Sequence, residues 1–279
     1  MKVKANAKIN LTLDITGKRD DGYHIIDSVF QSVALCDELS VEKADKITVC
    51  CDVGEIENES NIAFRAAQIF FEQNNIAGGA KITVKKHIPL TSGMAGGSAD
   101  AAAVISALDI IYKTKLSKKQ LRRIALLSGA DVPFCITGGT ARVGGVGEKI
   151  EELPAMPDCG ILLLKHGVKQ STADMYKKID AYPQKKRYTD AVVGGIINED
   201  LNVICNNVSN AFSGVCNNTE IIDAVNTTNP LCCSVSGSGP TVFAIYNSKE
   251  QAEDASKQLK NMGYCPMVTQ PISKGIMFE

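Results

Sequence analysis

The sequence lacks a dominant charge and a long apolar run, and its first residues are not expected to form a leader. Its 30 Lys and Arg residues offset 31 Asp and Glu residues, so the formal net charge is −1 and no basic field attracts nucleic acid or an acidic membrane surface. No stretch of about 18 uninterrupted apolar residues occurs, so no segment is expected to span a bilayer. The N-terminus alternates apolar and polar side chains, unlike a signal peptide. These absences predict a cytoplasmic protein whose partners include neither nucleic acid nor a membrane.

Cysteine is plentiful, but the spacings that mark metal or redox sites are missing. The ten cysteines include no CxxC pair, and the three histidines are not spaced as ligand pairs. A disulfide framework or a zinc site is one interpretation, but buried thiols in a reducing cytosol are the more common case. We therefore expect the cysteines to serve as small hydrophobic side chains.

Two common nucleotide-binding patterns, GxxxxGK[ST] and GxGxxG, are also absent. In their place, residues 89–98 are rich in glycine and precede an alanine-rich segment, residues 100–112, that is predicted to be a helix. Glycines let a backbone approach a polyanion closely, and a helix N-terminus offers unpaired N–H groups with a partial positive charge. The segment predicts a phosphate cradle, with a tight turn before a helix as the alternative.

Strict alternation over residues 3–15 predicts one long strand with one buried face. Lys8 and Asn10 project from the same polar face of this strand. A lysine on such a face is usually solvated. If the face lines a cleft, its ammonium group can instead balance the charge of a γ-phosphate or of a neighbouring carboxylate.

Elsewhere, strands and helices mix without regular alternation, which predicts an α+β fold. Predicted strands cover residues 28–35, 39–42, 47–53, 81–86, 161–164, 241–246 and 266–270. Ser60 is the predicted cap of a helix, and further helices begin near Leu116, Ser171 and Ser248, two of them on the capping-box pattern S-x-x-Q. Closely spaced prolines near residue 154 predict two domains, residues 1–153 and residues 154–279.

Asp131 follows the predicted end of a helix, in the segment GADVPF. An aspartate in this context commonly lies in a turn or caps the next segment. A carboxylate can also accept a proton from a substrate hydroxyl group. The sequence leaves both interpretations open.

Two smaller segments also have two interpretations each. Residues 234–241, SVSGSGPT, form either a turn of small residues or a second set of backbone donors over phosphates. Tyr23 and His24 follow the first predicted turn, where they either fill a hairpin or stack on and hydrogen-bond a flat heterocycle.

These segments together resemble those of the GHMP kinase superfamily. The matching segments occur in family order over nearly the whole chain: AKIN (7–10), GKR (17–19), DGYH (21–24), GMAGGSADAA (93–102), GADVPF (129–134), GEK (147–149) and SGSGPT (236–241). The resemblance implies an N-terminal domain like the second domain of ribosomal protein S5, a ferredoxin-like C-terminal domain and a cleft between them. It also implies a kinase that uses ATP and Mg²⁺ and phosphorylates a hydroxyl group of a cytidine diphosphate conjugate.

Carried onto this chain, the resemblance implies roles for particular residues on the ATP side of the cleft. Asp131 would be the base, and Lys8 would be its partner near the hydroxyl group and the γ-phosphate. Asn61 would lie near the adenine, and Ser236 and Gly237 would belong to the substrate site. The residues that would hold the ATP phosphates are Pro89, Leu90, Thr91, Ser92, Gly93, Met94, Ala95, Gly96, Gly97, Ser98 and Ala99.

On the acceptor side, the resemblance implies that Tyr23 and Tyr176 enclose the cytosine. His24 and Asn10 would fix the substrate by hydrogen bonds. Family members often carry prolines after the first C-terminal strand, whereas this chain has KHG at residues 165–167.

Three other functions remain open. Another GHMP-type kinase would act on homoserine, mevalonate or a sugar, none of which needs an aromatic pair for a base. A nucleotide-binding regulator without activity would not need both Lys8 and Asp131. A Rossmann-type oxidoreductase is disfavoured because GxGxxG is missing. The sequence is compatible with a monomer or a homodimer.

Overall fold

The computed structural model describes residues 1–54, 59, 61–168, 170–181 and 186–279. In this part of the chain, nine strands form one sheet and four form another, with helices packed on both. The strands are β1 (Lys2–Asn10), β2 (Thr12–Lys18), β3 (His24–Ala44), β4 (Thr48–Cys51), β5 (Gly79–Lys85), β6 (Thr140–Gly145), β7 (Lys149–Glu152), β8 (Gly160–Lys165), β9 (Ser209–Asn210), β10 (Cys232–Val235), β11 (Thr241–Tyr246), β12 (Met267–Thr269) and β13 (Ile276–Phe278). The helices are α1 (Ile62–Asn74), α2 (Gly96–Tyr112), α3 (Lys118–Ser128), α4 (Val132–Thr137), α5 (Thr172–Ala181), α6 (Thr189–Ile197), α7 (Leu201–Asn206), α8 (Thr219–Asn226) and α9 (Lys249–Asn261). The predicted α+β class is confirmed.

The prediction of one strand over residues 3–15, with one buried face, is wrong in two respects. The alternating segment is divided at Leu11 into β1 and β2, and both pieces pair with the long strand β3. The polar side chains of Asn6, Lys8 and Asn10 are as buried as the apolar ones between them. Alternation reports which side chains share a face, but not what covers that face.

Strand β3 is the centre of the first sheet. It is 21 residues long and joins two segments that the sequence predicts as separate strands, residues 28–35 and 39–42. It pairs with β1, β2, β5 and β6, each in antiparallel orientation. It contributes His24, Ile26 and Phe30 to the lining of the cleft described below.

The structure contains the caps that the sequence predicts for α3 and α9. The side chain of Ser117 accepts a hydrogen bond from the backbone N–H of Gln120 and completes the predicted capping box of α3, and Ser248 caps α9. Helix α1 is capped by Asn61, whose side chain accepts a hydrogen bond from the N–H of Ala63 at 2.9 Å. Ser60, the predicted cap, lies outside the described residues. No helix in the described ranges combines the length and the apolar character needed to cross a bilayer.

The second sheet has the order β10-β11-β8-β12. The predicted strand over residues 241–246 is β11, and that over residues 161–164 lies within β8. Strands β9 and β13 come from the second half of the chain but pair with β2 and β1 of the first sheet. The division of the chain at residue 153 into two domains stays a prediction.

An apolar seam joins the two sheets. Ile9 and Leu11 pack in one buried cluster with Ile161, Phe243 and Ile245 of the second sheet. Each of these side chains is fully buried, which contributes about 1.5–3 kcal/mol apiece. The seam fixes β1 against the second sheet, and thereby fixes the position of the polar residues that alternate with these apolar ones.

Candidate active site

A cleft of about 1450 Å³ lies where the end of β1, the β2–β3 turn, the glycine-rich loop and helix α5 meet. Most of the residues predicted for the site line it: Lys8, Asn10, Tyr23, His24, Asn61, Pro89, Leu90, Thr91, Ser92, Gly93, Ala95, Gly96, Gly97, Ser98, Asp131, Tyr176 and Gly237. Met94, Ala99 and Ser236 are fully buried and do not line the cleft.

Lys8 and Asp131 converge in this cleft although they are far apart in sequence. The Nζ atom of Lys8 lies 3.6 Å from Oδ2 of Asp131, and the two side chains are 3% and 37% exposed. Nζ also donates a hydrogen bond to Oδ1 of Asn10 at 2.7 Å and lies 4.2 Å from the centre of the Phe30 ring. A buried ammonium group is costly unless such partners compensate its desolvation, so these contacts fix its position.

The alternative role predicted for Asp131, that of a helix cap, agrees with its position but not with its side-chain contacts. Asp131 occupies the N-cap position of α4, but its side chain makes no capping hydrogen bond with that helix. Its carboxylate instead faces Lys8 at the edge of the cleft. The backbone of Asp131 is thus held at the start of α4, while its carboxylate is available to the cleft.

The glycine-rich loop leads into helix α2, which begins at Gly96 rather than at Asp100 as predicted. Ala95 is the N-cap residue with a φ of 57°, and no side chain caps this helix end. The first N–H groups of a helix have no intrahelical acceptors and carry a partial positive charge. The first turn, formed by Gly96, Gly97 and Ser98, therefore offers backbone donors to an anion in the cleft.

A second loop, residues 236–240, supports the glycine-rich loop from behind. The Ser236 hydroxyl donates to the Gly93 carbonyl oxygen at 3.1 Å, and the Thr241 N–H donates to the Ser92 carbonyl oxygen at 3.2 Å. Gly93 has a φ of +80°, and a Cβ there would lie 2.4 Å from the Ser236 carbonyl oxygen. Ser236 therefore holds the loop and does not itself line the cleft.

On the acceptor side, the enclosure of the cytosine by Tyr23 and Tyr176 stays a prediction. The His24 ring, not the Tyr23 ring, stacks on Tyr176, with ring centres 4.3 Å apart and planes at 13°. Tyr23 is 65% exposed. Tyr176 also meets Phe212 edge-on at 5.0 Å, and burial raises its pKa to about 12. One face of Tyr176 is therefore already covered by an imidazole ring.

Sequence reasoning missed a buried charged cluster at the base of the cleft, formed by Lys86, Asp37 and Asp100. The ammonium group of Lys86 contacts both carboxylates, the one of Asp100 at 2.6 Å. Asp37 also accepts hydrogen bonds from the N–H groups of His87 and Ile88 at 2.6 and 2.8 Å. Within the described residues, Oδ1 of Asp100 has no hydrogen-bond partner.

Burial is the main reason why the pKa of Asp100 is raised to about 8. The neighbouring Asp37 carboxylate acts in the same direction, while the Lys86 ammonium group opposes it. The sequence does contain a signal for this cluster, since Asp100 is a single aspartate among alanines. A helix as apolar as this one is expected to be buried, and a buried carboxylate needs a polar or charged partner.

The α+β fold, the cleft and the glycine-rich loop define a GHMP-type kinase. Residues 61–139 match the family model of the GHMP kinases N terminal domain, and residues 199–265 match that of the GHMP kinases C terminal. Relatives named 4-diphosphocytidyl-2-C-methyl-D-erythritol kinase include one from Clostridium beijerinckii, 37% identical over 93% of this chain and 96% of the relative. Another, from Acetivibrio thermocellus, is 38% identical over 98% of this chain and 99% of the relative. The chain belongs to the 4-diphosphocytidyl-2-C-methyl-D-erythritol kinase family.

Solved structures give the same result. A crystal structure of 4-(cytidine 5'-diphospho)-2C-methyl-D-erythritol kinase superposes with a TM-score of 0.78 at 27% identity, over 97% of this chain and 99% of that one. A homoserine kinase from Cytophaga hutchinsonii superposes with a TM-score of 0.77 at 20% identity, over 99% of this chain and 96% of that one. At such low identity, the second likeness shows the fold alone.

The donor groups in the cleft fit a metal ion that is shared with phosphates. Among the residues that the structure describes, no group of three or more His, Cys, Asp and Glu side chains is arranged to hold a metal ion. Mg²⁺ is usually bound through one or two carboxylates together with substrate phosphates and water. The Ser98 hydroxyl group lines the cleft in the first turn of α2 and would hold such an ion together with the phosphates.

Replacing Gly93 with alanine is expected to disturb the loop contact. The new Cβ would meet the Ser236 carbonyl oxygen at 2.4 Å, at a φ of +80°, so we expect the free energy of unfolding to fall by about 1–3 kcal/mol and ATP affinity to weaken. Thermal unfolding and ATP titration measure both. Gly194→Ala is the control, because nothing lies within 4 Å of its Cβ position. Wild-type behaviour of Gly93→Ala would contradict the contact.

The raised pKa of Asp100 predicts how the stability of the folded protein depends on pH. Since burial raises this pKa from 3.8 to about 8, the folded state holds a proton at pH values between these two that the unfolded state has lost. The group therefore lowers stability progressively as pH rises from about 4 to about 8. Asp100→Asn removes this dependence, so its melting temperature relative to wild type should rise with pH over this range.

Thermal unfolding at several pH values, with Asp254→Asn as the control, tests this prediction. Asp254 is an exposed carboxylate on α9, 68% accessible and paired with Lys257. A difference between Asp100→Asn and wild type that stays constant or shrinks with rising pH would count against the raised pKa.

Proposed function

We propose that this chain transfers the γ-phosphoryl group of ATP to the 2-hydroxyl group of 4-diphosphocytidyl-2-C-methyl-D-erythritol, giving the 2-phosphate and ADP, in the non-mevalonate route to isoprenoids. The observation that carries the proposal is the contact between Lys8 and Asp131 in a cleft that also contains an uncapped, glycine-rich helix N-terminus. The family membership supports the choice of substrate. The cytoplasmic location and the state of monomer or homodimer stay predictions.

ATP would be bound mainly through backbone groups. The N–H groups of Gly96, Gly97 and Ser98 point their partial positive charge at the phosphates. The loop presents few side chains that would crowd a polyanion, and the second loop keeps it in shape through Gly93. Mg²⁺, which the Ser98 hydroxyl group in the cleft would help to hold, would offset the charge of the phosphates.

The transfer needs a proton acceptor and a cation beside the reacting atoms. The acceptor oxygen attacks the γ-phosphorus, the bond from that phosphorus to the β–γ bridging oxygen breaks, and ADP leaves. The Asp131 carboxylate takes the proton of the attacking hydroxyl group. The Lys8 ammonium group, held by Asn10 and Phe30, stabilises the charge that moves across to the leaving phosphate.

The acceptor would bind between the β2–β3 turn and helix α5. His24 and Tyr176 present a stacked aromatic pair there, with Tyr23 beside them. Aromatic faces hold a nucleobase by stacking, at about 1–3 kcal/mol per base. The side chain of Asn10 also lines this part of the cleft. Its amide is fixed by two hydrogen bonds, one accepted from Lys8 and one donated to Ser28.

A panel of acceptors tests the function. We expect ADP to form with 4-diphosphocytidyl-2-C-methyl-D-erythritol and not with homoserine or mevalonate, because neither has a base that would use the aromatic pair. ADP release with each acceptor, above the rate with ATP alone, is the measurement. Turnover with homoserine or mevalonate but not with the cytidine compound would contradict the proposal.

The role of Asp131 is tested by Asp131→Asn, which keeps the shape of the side chain and removes the proton acceptor. We expect kcat to fall by about 10²–10⁴-fold, while ATP still binds because the glycine-rich loop is unchanged. Turnover and ATP titration, with Asp254→Asn as the control, measure the two effects. Near-normal kcat for Asp131→Asn would remove Asp131 from this role.

A further inference from the structure

Asn210 is a buried polar residue at the junction of the two sheets. It is the last residue of β9, the short strand that pairs with β2 of the first sheet, where its partner is Leu13. The N–H of Ala211, the next residue, donates to the Leu13 carbonyl oxygen at 2.9 Å. Asn210 is only 5% exposed. Its backbone is therefore fixed to the first sheet.

The side chain of Asn210 reaches the second sheet. Its Nδ2 donates to the carbonyl oxygens of Val235, at the end of β10, and of Gly237, at 2.7 and 2.9 Å. Its Oδ1 accepts a hydrogen bond from the N–H of Phe212 at 2.9 Å. These partners fix the orientation of the amide, because a reversed amide would place Oδ1 against two other acceptors. Both hydrogens of Nδ2 are thus directed at the segment that leaves β10.

Gly237 belongs to the second loop, residues 236–240, and packs against the ATP side of the cleft. It lines the cleft, and a Cβ on it would lie 3.0 Å from the Gly93 carbonyl oxygen and 3.5 Å from Oδ1 of Asn10. The hydroxyl group of the neighbouring Ser236 donates to the same Gly93 carbonyl oxygen. The position of Gly237 therefore determines how closely the second loop supports the glycine-rich loop.

We propose that Asn210 is a positioning residue for ATP binding, which holds the second loop where it supports the glycine-rich loop. This inference rests on the proposed function. Helix α2, which follows the glycine-rich loop, packs on the first sheet, whereas the second loop leaves a strand of the second sheet. Asn210 connects the two through its amide. It is not among the described residues that line the cleft, so it acts through the backbone of Gly237.

The substitution Asn210→Asp separates the two halves of this contact. A carboxylate keeps an oxygen that accepts from the Phe212 N–H, but it faces the two carbonyl oxygens with an acceptor in place of a donor. Once the carboxyl group is protonated, its O–H can donate to one of these carbonyl oxygens again. Burial raises the pKa of a carboxyl group by up to about 3–5 pH units, so this protonation is expected between about pH 5 and about pH 9.

Titration calorimetry with ATP tests the inference on wild type, Asn210→Asp and Asn198→Asp. Asn198 is the matched control, because its Nδ2 also donates to a backbone carbonyl oxygen, that of Gly194 at 2.9 Å, but at the exposed end of α6. We expect Asn210→Asp to raise the Kd for ATP about tenfold relative to wild type at about pH 9, and by less at about pH 6, where the carboxyl group donates again. Asn198→Asp is expected to keep the wild-type Kd at both pH values.

Turnover separates positioning from a general loss of structure. In Asn210→Asp, we expect the KM for ATP to rise while the KM for the acceptor stays close to that of wild type. The reason is that the contact with Phe212, whose ring meets Tyr176 on the acceptor side, is kept. A variant that is only less stable would have a lower melting temperature, with an unchanged Kd for ATP at temperatures where it is folded.

Three outcomes would overturn the inference: wild-type ATP affinity in Asn210→Asp at both pH values, a loss of affinity that is the same at both, and an equal rise of both KM values. If thermal unfolding shows that Asn210→Asp does not fold, Asn210→Ala removes the amide without adding a charge, and wild-type ATP affinity in that variant overturns the inference. Failure of the proposed function is recognised separately, because it appears as missing ADP formation in the acceptor panel, whereas the ATP titration needs no turnover.

Discussion

The Lys8 ammonium group lies on a strand whose two faces are both covered, so its charge has to be compensated within the protein. Desolvation of such a group costs several kcal/mol, and only close partners offset this cost. Asn10, Phe30 and Asp131 provide the compensation. This requirement ties the end of β1 to the start of α4, two segments that local sequence does not connect. The pair that we propose to handle charge during phosphoryl transfer is therefore also a condition for burying β1.

The ATP side of the cleft depends on both sheets. The glycine-rich loop belongs to the first half of the chain, but the second half supports it through the Ser236 hydroxyl group and the ammonium group of Lys165, which donates to the Leu90 carbonyl oxygen at 2.8 Å. The apolar seam around Ile9 and Phe243 holds the two sheets in the relative position that these polar contacts need. A loop of glycines has little stiffness of its own, so its shape comes from these neighbours.

The sequence predicts local features well and long-range pairs poorly. Alternation identifies Lys8 as a side chain of interest, and the S-x-x-Q pattern places the start of α3. Helix α4 was missed, because six residues are too short to show helical periodicity. The contacts of Asp180 with His24 and of Asp37 with Lys86 were missed because partners so distant in sequence leave no local pattern.

The two sides of the cleft have different structural origins, and this explains how one fold serves several acceptors. A homoserine kinase shares the fold with a TM-score of 0.77, so the fold cannot determine the acceptor. The ATP side is built from backbone groups of a loop and a helix end. These groups do not depend on which acceptor is bound on the other side. The acceptor side is built from side chains of a hairpin rung and of α5, chiefly His24 and Tyr176. Side chains at these positions can change without altering the backbone that we propose to hold ATP. The choice of acceptor is therefore expected to lie in the contacts between this hairpin and this helix.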